Sequence, residues 1–329
     1  MLMLDEATMS AAKIKVVGVG GAGGNALNSM LEEGVHGVDF IAANSDFQVL
    51  NDNRSPFKLQ LGESVTHGLG AGGDPRVGQE TAEASAEEIR DALDGADMVF
   101  LAAGMGGGTG TGAAPVIARI AKELGALTVA VVTKPFLFEG KRRKDQADQG
   151  IADLRRTVDT LITIPNHRLL DLGDRNLSWK EALRRADATL VNAVRGITDL
   201  IHTPGLVNLD FKDVQTIMSE GGMALMGTGS ARGDNRAVEA AKLAIRSPLL
   251  EDIDIKGATA VLLNIAGGDD LTLFDVNEAA TLIHDEAHED VHVIFGTVCD
   301  PSLRDEVRVT VIATGFDRKI AREIEPAEA

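Results

Sequence analysis

Asp97-Met-Val-Phe-Leu-Ala-Ala-Gly-Met-Gly-Gly-Gly-Thr-Gly-Thr-Gly112 passes from an apolar run into a loop built almost wholly of glycine and threonine. Five of the seven residues from Gly106 to Gly112 are Gly and the other two are Thr. The apolar part, Asp97 to Ala103, reads as a buried strand, and about Thr111 to Leu124 as the helix after it. Such a loop offers backbone N–H groups and hydroxyls, which suit phosphate oxygens or a metal-bound phosphate. Gly loses more conformational freedom on folding than any other residue, so a run this dense is poorly explained as surface slack.

The same strand–glycine–helix order opens the chain. Lys13 to Val19 reads as a strand, and Gly18-Val-Gly-Gly-Ala-Gly-Gly-Asn25 leads into a helix through Met30-Leu31. Its GxGxxG spacing at Gly18, Gly20 and Gly23 fits either a tight strand–helix turn or a dinucleotide-binding turn. A third glycine loop lies at Gly68-Leu-Gly-Ala-Gly-Gly73. A dinucleotide site needs one such loop; three imply a phosphate chain gripped from several sides. No GxxxxGK[ST] occurs, which excludes a P-loop nucleotidase.

Further strands are predicted at Val38–Ala43, Leu127–Val132 and Thr160–Ile164, and a single helix at Pro75–Leu93. Near-continuous apolar strands alternating with helices predict an α/β fold, a parallel sheet covered on both faces. A long helix is predicted over Asp187–His202, stopped by Pro204-Gly205. Beyond it, helices near Asn235–Arg246 and Phe274–Ala287 separate runs at Ala258–Ile265, Val291–Phe295 and Val307–Ile312, which predicts a second, smaller α+β domain. The expected division is an extension over 1–12, a ligand-binding domain over 13–186, a central helix over 187–203, an α+β domain over 204–317 and a charged tail over 318–329.

Composition narrows the class. The chain has 329 residues, 44% hydrophobic, with 32 Lys and Arg against 50 Asp and Glu, a net charge of −18. That length suits about two domains, and that charge gives no general attraction to nucleic acid or an anionic membrane. Aromatics are 3% with no Tyr, so a base-stacking platform is not expected. The single cysteine, Cys299, excludes an internal disulfide framework and fits a reducing cytosol. Met1–Ser10 carries Asp5 and Glu6 where a secretory peptide wants positive charge. Met98–Ala118 is uncharged and long, but its glycines and Pro115 make a poor spanning helix, so no membrane insertion is expected.

Asn208-Leu-Asp-Phe-Lys-Asp213 follows the long helix. Asp210 and Asp213 are three residues apart and share a face if helical. They suit water positioning or a metal; Asp210 equally suits a helix cap.

Together these segments carry a resemblance. Gly106–Gly112, Gly18–Ala26, Pro135-Phe-Leu-Phe-Glu-Gly140 and Asn208–Asp213 resemble the tubulin/FtsZ family, and the last two favour its FtsZ branch over tubulin. The similarity runs from about Lys13 to Asp317. It implies a cell-division GTPase, bound to GTP or GDP with Mg²⁺ held through the phosphates and no firm protein ligand. It also implies a head-to-tail homopolymer, division-ring partners, and a cytoplasmic place at mid-cell. The family's long linker and tether-recruiting peptide are not expected within these residues.

The resemblance further implies roles. Gly20, Gly21, Ala22, Gly23, Gly24 and Asn25 would hold phosphates with Gly72, Gly104, Gly106, Gly107, Gly108, Thr109 and Gly110, while Asn44, Asp46 and Thr133 would border the same pocket. Glu139 and Arg143 would hold ribose and the neighbouring phosphate. Asn166 and Asp187 would read guanine, with Leu183 over its face. Asn208, Asp210 and Asp213 would act on the GTP of the next subunit.

Three positions depart from the family. Ser45 replaces a usual Thr but keeps the hydroxyl, Gly73-Asp74 adds negative charge near the phosphates, and Leu183 replaces a stacking Phe. An aromatic stack is worth about 1–3 kcal/mol per base. Other readings of single residues are a solvated helix face for Lys141-Arg-Arg-Lys144 and a helix cap for Asp187. For the whole chain they are a scaffold that binds nucleotide without hydrolysing it, and a nicotinamide oxidoreductase, which needs an acidic residue at the end of the second strand.

Overall fold

The computed structural model describes residues 12–170, 178–203, 207, 209–219, 222–247, 249–250, 257–288 and 291–316. The segments expected to be an extension and a tail therefore lie almost wholly outside the described residues.

Strands β1 (Ile14–Val19), β2 (Val38–Asn44), β3 (Phe57–Gln60), β4 (Met98–Gly104), β5 (Leu127–Lys134) and β6 (Thr160–Pro165) run parallel in the order β3-β2-β1-β4-β5-β6. The strand order reverses between β1 and β4, and in such doubly wound sheets a crevice opens there at the carboxyl ends. The sheet continues through β7 (Gly222–Arg232) to β8 (Ala260–Gly267), β9 (His292–Cys299) and β10 (Glu306–Thr314), with β10 inserted antiparallel between β7 and β8.

Eleven α-helices are described: α1 (Gly20–Glu32), α2 (Phe47–Asp52), α3 (Glu63–Thr66), α4 (Pro75–Ala84), α5 (Ala86–Leu93), α6 (Thr109–Glu123), α7 (Lys141–Arg155), α8 (Trp179–His202), α9 (Phe211–Ser219), α10 (Arg236–Ile245) and α11 (Leu273–Glu286). Successive strand residues face opposite sides. Thus Val16, Phe40 and Phe100 pack with Leu27 and Met30 of α1 and Leu190 and Val194 of α8, while Val17, Ile41 and Leu101 pack with Ile89 of α5 and Ile117 of α6. Leu262 and Ile312 join the first cluster, whereas Val261 and Val311 face α10 and α11. Helix α8 therefore shares one core with both halves of the sheet. Each side chain of this size contributes about 1.5–3 kcal/mol when fully buried.

Helices α4 and α6 meet backbone to backbone. A Cβ on Gly112 would fall on the Pro75 carbonyl oxygen, and one on Gly78 on the Gly108 carbonyl oxygen. This contact seats the second glycine loop against the third: a Cβ on Gly108 would lie 2.8 Å from the Ala71 Cβ.

Several expectations change. Pro75–Leu93 is two helices broken at Ser85, whose Oγ accepts the Gly62 N–H at 2.9 Å. The central helix begins at Trp179, with Ser178 accepting the Glu181 N–H, so Asp187 is inside it and is not its cap. Two strands were not foreseen, β3 at the sheet edge and β7. The apolar stretch Met98–Ala118 is strand β4, a loop and part of α6. Among the described residues no helix is long and apolar enough to cross a membrane.

Candidate functional site

Helices α1 and α6 start from neighbouring strands at the point where the strand order reverses. Gly20 has φ +72°, and a Cβ there would lie 2.9 Å from the Gly110 nitrogen, so the two loops pack main chain on main chain. Neither helix has a side-chain N-cap or an acidic residue in its first turn. Their first N–H groups are left for an acceptor from outside, and each helix adds about half a positive charge at that end. Gly23 and Gly24 are buried beneath, while Gly21, Ala22 and Asn25 are exposed. A Cβ on Gly21, Gly72 or Gly107 would meet nothing within 4 Å. Gly21 and Gly107 also have no positive φ. Neither a neighbouring segment nor a positive φ requires glycine at these two positions, so the main chain there is open to approach from outside.

Side chains pin the loops. Thr111 Oγ1 accepts the Gly106 N–H at 2.8 Å, the Ser45 and Thr109 hydroxyls share a buried hydrogen bond of 2.6 Å, and the Met105 N–H donates to the Thr133 carbonyl at 2.9 Å. Thr133 Oγ1 would lie 3.6 Å from a Cβ on Gly104. Ser45 thus retains the hydroxyl's use. Asp74 does not sit as a bare charge beside the loops. Its carboxylate accepts the Arg76 N–H at 2.9 Å, caps α4 and pairs with the Arg76 guanidinium at 2.9 Å. Those bonds hold its carboxyl below the usual range. At the end of β2, Asn44 Oδ1 accepts the Asp46 N–H at 3.2 Å, and Asp46 accepts the Val49 N–H at 3.1 Å as the cap of α2. Asp46 is therefore engaged locally, and β2 ends without the free carboxylate that a nicotinamide site requires.

The loop after β5 carries Glu139 and Arg143. Glu139 Oε1 accepts the Phe136 N–H at 2.8 Å, and Oε2 pairs with the Arg143 Nε at 3.0 Å. Arg143 lies directly on the second glycine loop: a Cβ on Gly106 would be 2.5 Å from its carbonyl oxygen. Asn166 follows β6 in a short 3-10 turn that packs on α8. It is 8% exposed, and its Oδ1 has no hydrogen-bond partner among the described residues. Leu183 and Asp187 lie one turn apart on α8, and Leu183 is 40% exposed. Burial pushes the Asp187 carboxyl up to about 6. A buried amide oxygen and a desolvated carboxylate, both short of donors, suit a ligand edge rich in N–H groups.

The two aspartates lie elsewhere. Asp210 Oδ1 accepts the Asp213 N–H at 2.9 Å, so Asp210 precedes α9 and caps it, and the two do not share a helical face as expected. Asn208 lies outside the described residues. From Asp187 to His202, α8 extends about 22 Å. His202 ends against Gly37, just before β2, where a Cβ would lie 2.9 Å from its ring. The last turn of α8 is therefore at the amino edge of the parallel strands, and the glycine loops are at the carboxyl edge. Sequence reasoning missed Thr111 as a loop anchor. It also took Lys141, Arg142 and Lys144 only as a solvated face, although they begin the helix that touches the second loop.

Comparison with known proteins agrees with this geometry. Residues 13–174 match the tubulin/FtsZ family GTPase domain, and 222–317 match the FtsZ family C-terminal domain. The chain is similar to the empty FtsZ dimer of M. jannaschii at 44% identity and a TM-score of 0.91, over 94% of this chain and 90% of that one. A point mutant of M. jannaschii FtsZ matches at 45% identity and a TM-score of 0.90, over 93% and 92%. CetZ1 of Haloferax volcanii, a GDP-bound monomer, shares the fold at 23% identity and a TM-score of 0.79, over 94% and 99%. With both domains matched in order and close likeness along nearly its whole length, the chain belongs to the tubulin/FtsZ family of GTPases, on the FtsZ branch.

Proposed function

We propose that this protein binds GTP with Mg²⁺, assembles head to tail, and hydrolyses GTP to GDP and phosphate only across the contact between two copies. The observation that carries the reading is the separation of an uncapped double-helix anion cradle from a pair of carboxylates at the other end of α8. The phosphates rest on the free N–H groups at the starts of the two helices, Gly20, Gly21, Ala22 and Gly23 at α1 and Gly107, Gly108, Thr109 and Gly110 at α6, with Gly24, Gly72, Gly104 and Gly106 bordering them and Asn25 and Thr109 adding polar contacts. Mg²⁺, when bound with the nucleotide, would supply charge neutralisation at the phosphates, and no protein side chain is assigned to hold it. Glu139 and Arg143 hold the ribose and the adjoining phosphate. Asn166 and Asp187 accept from the guanine edge, and Leu183 covers one face. Asp210 and Asp213 of the next copy, with Asn208, orient the attacking water in line with the terminal phosphate. A heterologous contact that does not close builds filaments. Filaments of this kind fit a mid-cell division ring, with other ring proteins as partners.

Phosphate release titrated against protein concentration tests this directly. Specific activity should rise from near zero above a threshold concentration. Activity per chain that stays flat on dilution would mean a self-sufficient site and overturn the reading.

Asp187 supplies a second test. Its folded carboxyl pKa of about 6 lies above the ordinary 3.8, so the free protein gains stability from this group as pH falls below 6 and loses it as pH rises through 6. Guanine N–H donors favour the ionised form and pull that value down. Binding then releases a proton below about pH 6, and affinity drops by up to about tenfold per pH unit there. Asp187→Asn should lower GTP affinity at pH 7.5, flatten the pH dependence and weaken the preference for GTP over ATP. Calorimetric titration at pH 7.5 and pH 5 checks all three; an unchanged base preference removes Asp187 from the site.

A further inference from the structure

Helix α7 begins with Lys141-Arg-Arg-Lys144, four cations at the positive end of a helix, with no acidic residue in the first turn and no side-chain cap. Cations are disfavoured there, and acidic residues are the ordinary choice. All four are exposed. Arg143 is paired with Glu139, but the side chains of Lys141, Arg142 and Lys144 make no ion pair or hydrogen bond among the described residues. Apart from the Arg143–Glu139 pair and the attraction of Arg142 to Asp74, the arrangement opposes the stability of its own helix.

Its position gives the reason. The backbone of Arg143 abuts Gly106, Gln146 one turn on donates to the Gly73 carbonyl at 3.4 Å, and Arg142 is close enough to Asp74 to help hold its carboxyl down. The start of α7, which carries the cations, thus borders the second and third glycine loops. The chain as a whole carries −18, which repels a nucleotide polyphosphate at long range. A local positive rim beside the cradle cancels that repulsion where the ligand must enter.

We propose that Lys141, Arg142 and Lys144 form an electrostatic collar that steers the nucleotide polyphosphate into the cradle and sets its association rate, without being ligands of the bound phosphates. This rests on the reading that the cradle binds GTP. A collar acts on approach, so its effect lies in the association rate constant and is screened by salt, the Debye length falling from about 10 Å at 0.1 M to about 3 Å at 1 M.

The test is stopped-flow binding of a fluorescent N-methylanthraniloyl-GTP to the full chain, below the assembly threshold, at several salt concentrations. The triple variant Lys141→Gln, Arg142→Gln, Lys144→Gln should associate about tenfold more slowly at 50 mM salt and at the parent's rate at 1 M, with dissociation changed less than twofold. Its melting temperature should equal or exceed the parent's, because cations leave the positive end of a helix. Faster dissociation with unchanged association would make these side chains direct phosphate ligands and overturn steering. A lowered melting temperature with unchanged association would leave them a structural role only. If the parent binds no guanine nucleotide, the functional reading itself falls and the collar with it; if the parent binds and the variant's association matches it at low salt, only the collar falls.

Discussion

Mixing two inactive variants should restore phosphate release. Asp213→Ala keeps a complete glycine cradle but presents a defective carboxylate to its neighbour. Arg143→Ala has a weakened pocket and an intact pair at α9. Both changes are mild for the fold. Asp213 is only half-buried, and Arg143, with a side chain 53% exposed, gives up one surface ion pair worth about 1 kcal/mol or less. Asp210 is the wrong choice for this experiment, because its carboxylate caps α9 and its loss costs about 1 kcal/mol of helix stability. Each variant alone should turn over GTP at least tenfold more slowly than the parent. In the mixture some contacts join the sound pocket of one to the sound carboxylates of the other, so activity should exceed the sum of the two by severalfold. Sedimentation verifies that both enter filaments. Co-assembly with merely additive release would place both halves of the site in one chain.

The second large effect sets two glycines against each other. Gly21→Ala places a methyl where, beyond its own turn of helix, nothing lies within 4 Å, at a position without positive φ. The melting temperature should hold or rise, since Ala restricts the unfolded chain by about 0.4–1 kcal/mol. GTP affinity should nevertheless drop about 10- to 100-fold, because the methyl occupies the approach to N–H groups whose bonds to a charged ligand are worth about 1.5–3 kcal/mol each. Gly112→Ala reverses the pattern. Its methyl falls on the Pro75 carbonyl and lies 2.5 Å from the Gln79 nitrogen, both main-chain atoms of α4. Overpacking against backbone costs about 3 kcal/mol, more than the roughly 1 kcal/mol that Ala adds to a helix. Thermal melting should fall by several degrees for Gly112→Ala and not for Gly21→Ala. Equal binding by Gly21→Ala and the parent would remove the cradle from the nucleotide site.

The glycine loops and the alternation of parallel strands with helices were legible because each is short-range: a spacing, an apolar run. What stayed hidden was decided by contacts from distant segments. Strand β7 reads poorly because Gly227 and Gly229 interrupt its apolar pattern, and only α10 explains them: a Cβ at either would strike the Ala244 or Ala240 carbonyl. The start of α8 was misplaced at Asp187, although Ser178-Trp-Lys-Glu181 carries the Ser-x-x-Glu spacing of a helix start. The break at Ser85 depends on Gly62, which no local pattern reveals. Asn166 and Asp187 entered by resemblance. Their physical mark, a buried oxygen without a donor and a carboxyl pushed up by burial, exists only once β6 and α8 are side by side.

The meeting of α4 and α6 without intervening side chains has a mechanical consequence. A layer of side chains between helices can repack and absorb displacement, as springs do. Here main chain bears on main chain at Gly78 and Gly112, and the same contact continues through Gly108 to Ala71. Compliance at this joint is low, so the third glycine loop, α4 and the start of α6 shift together or not at all. A push on the third loop would then be handed on to α4 and the start of α6 as by a rigid lever, with little lost in the joint.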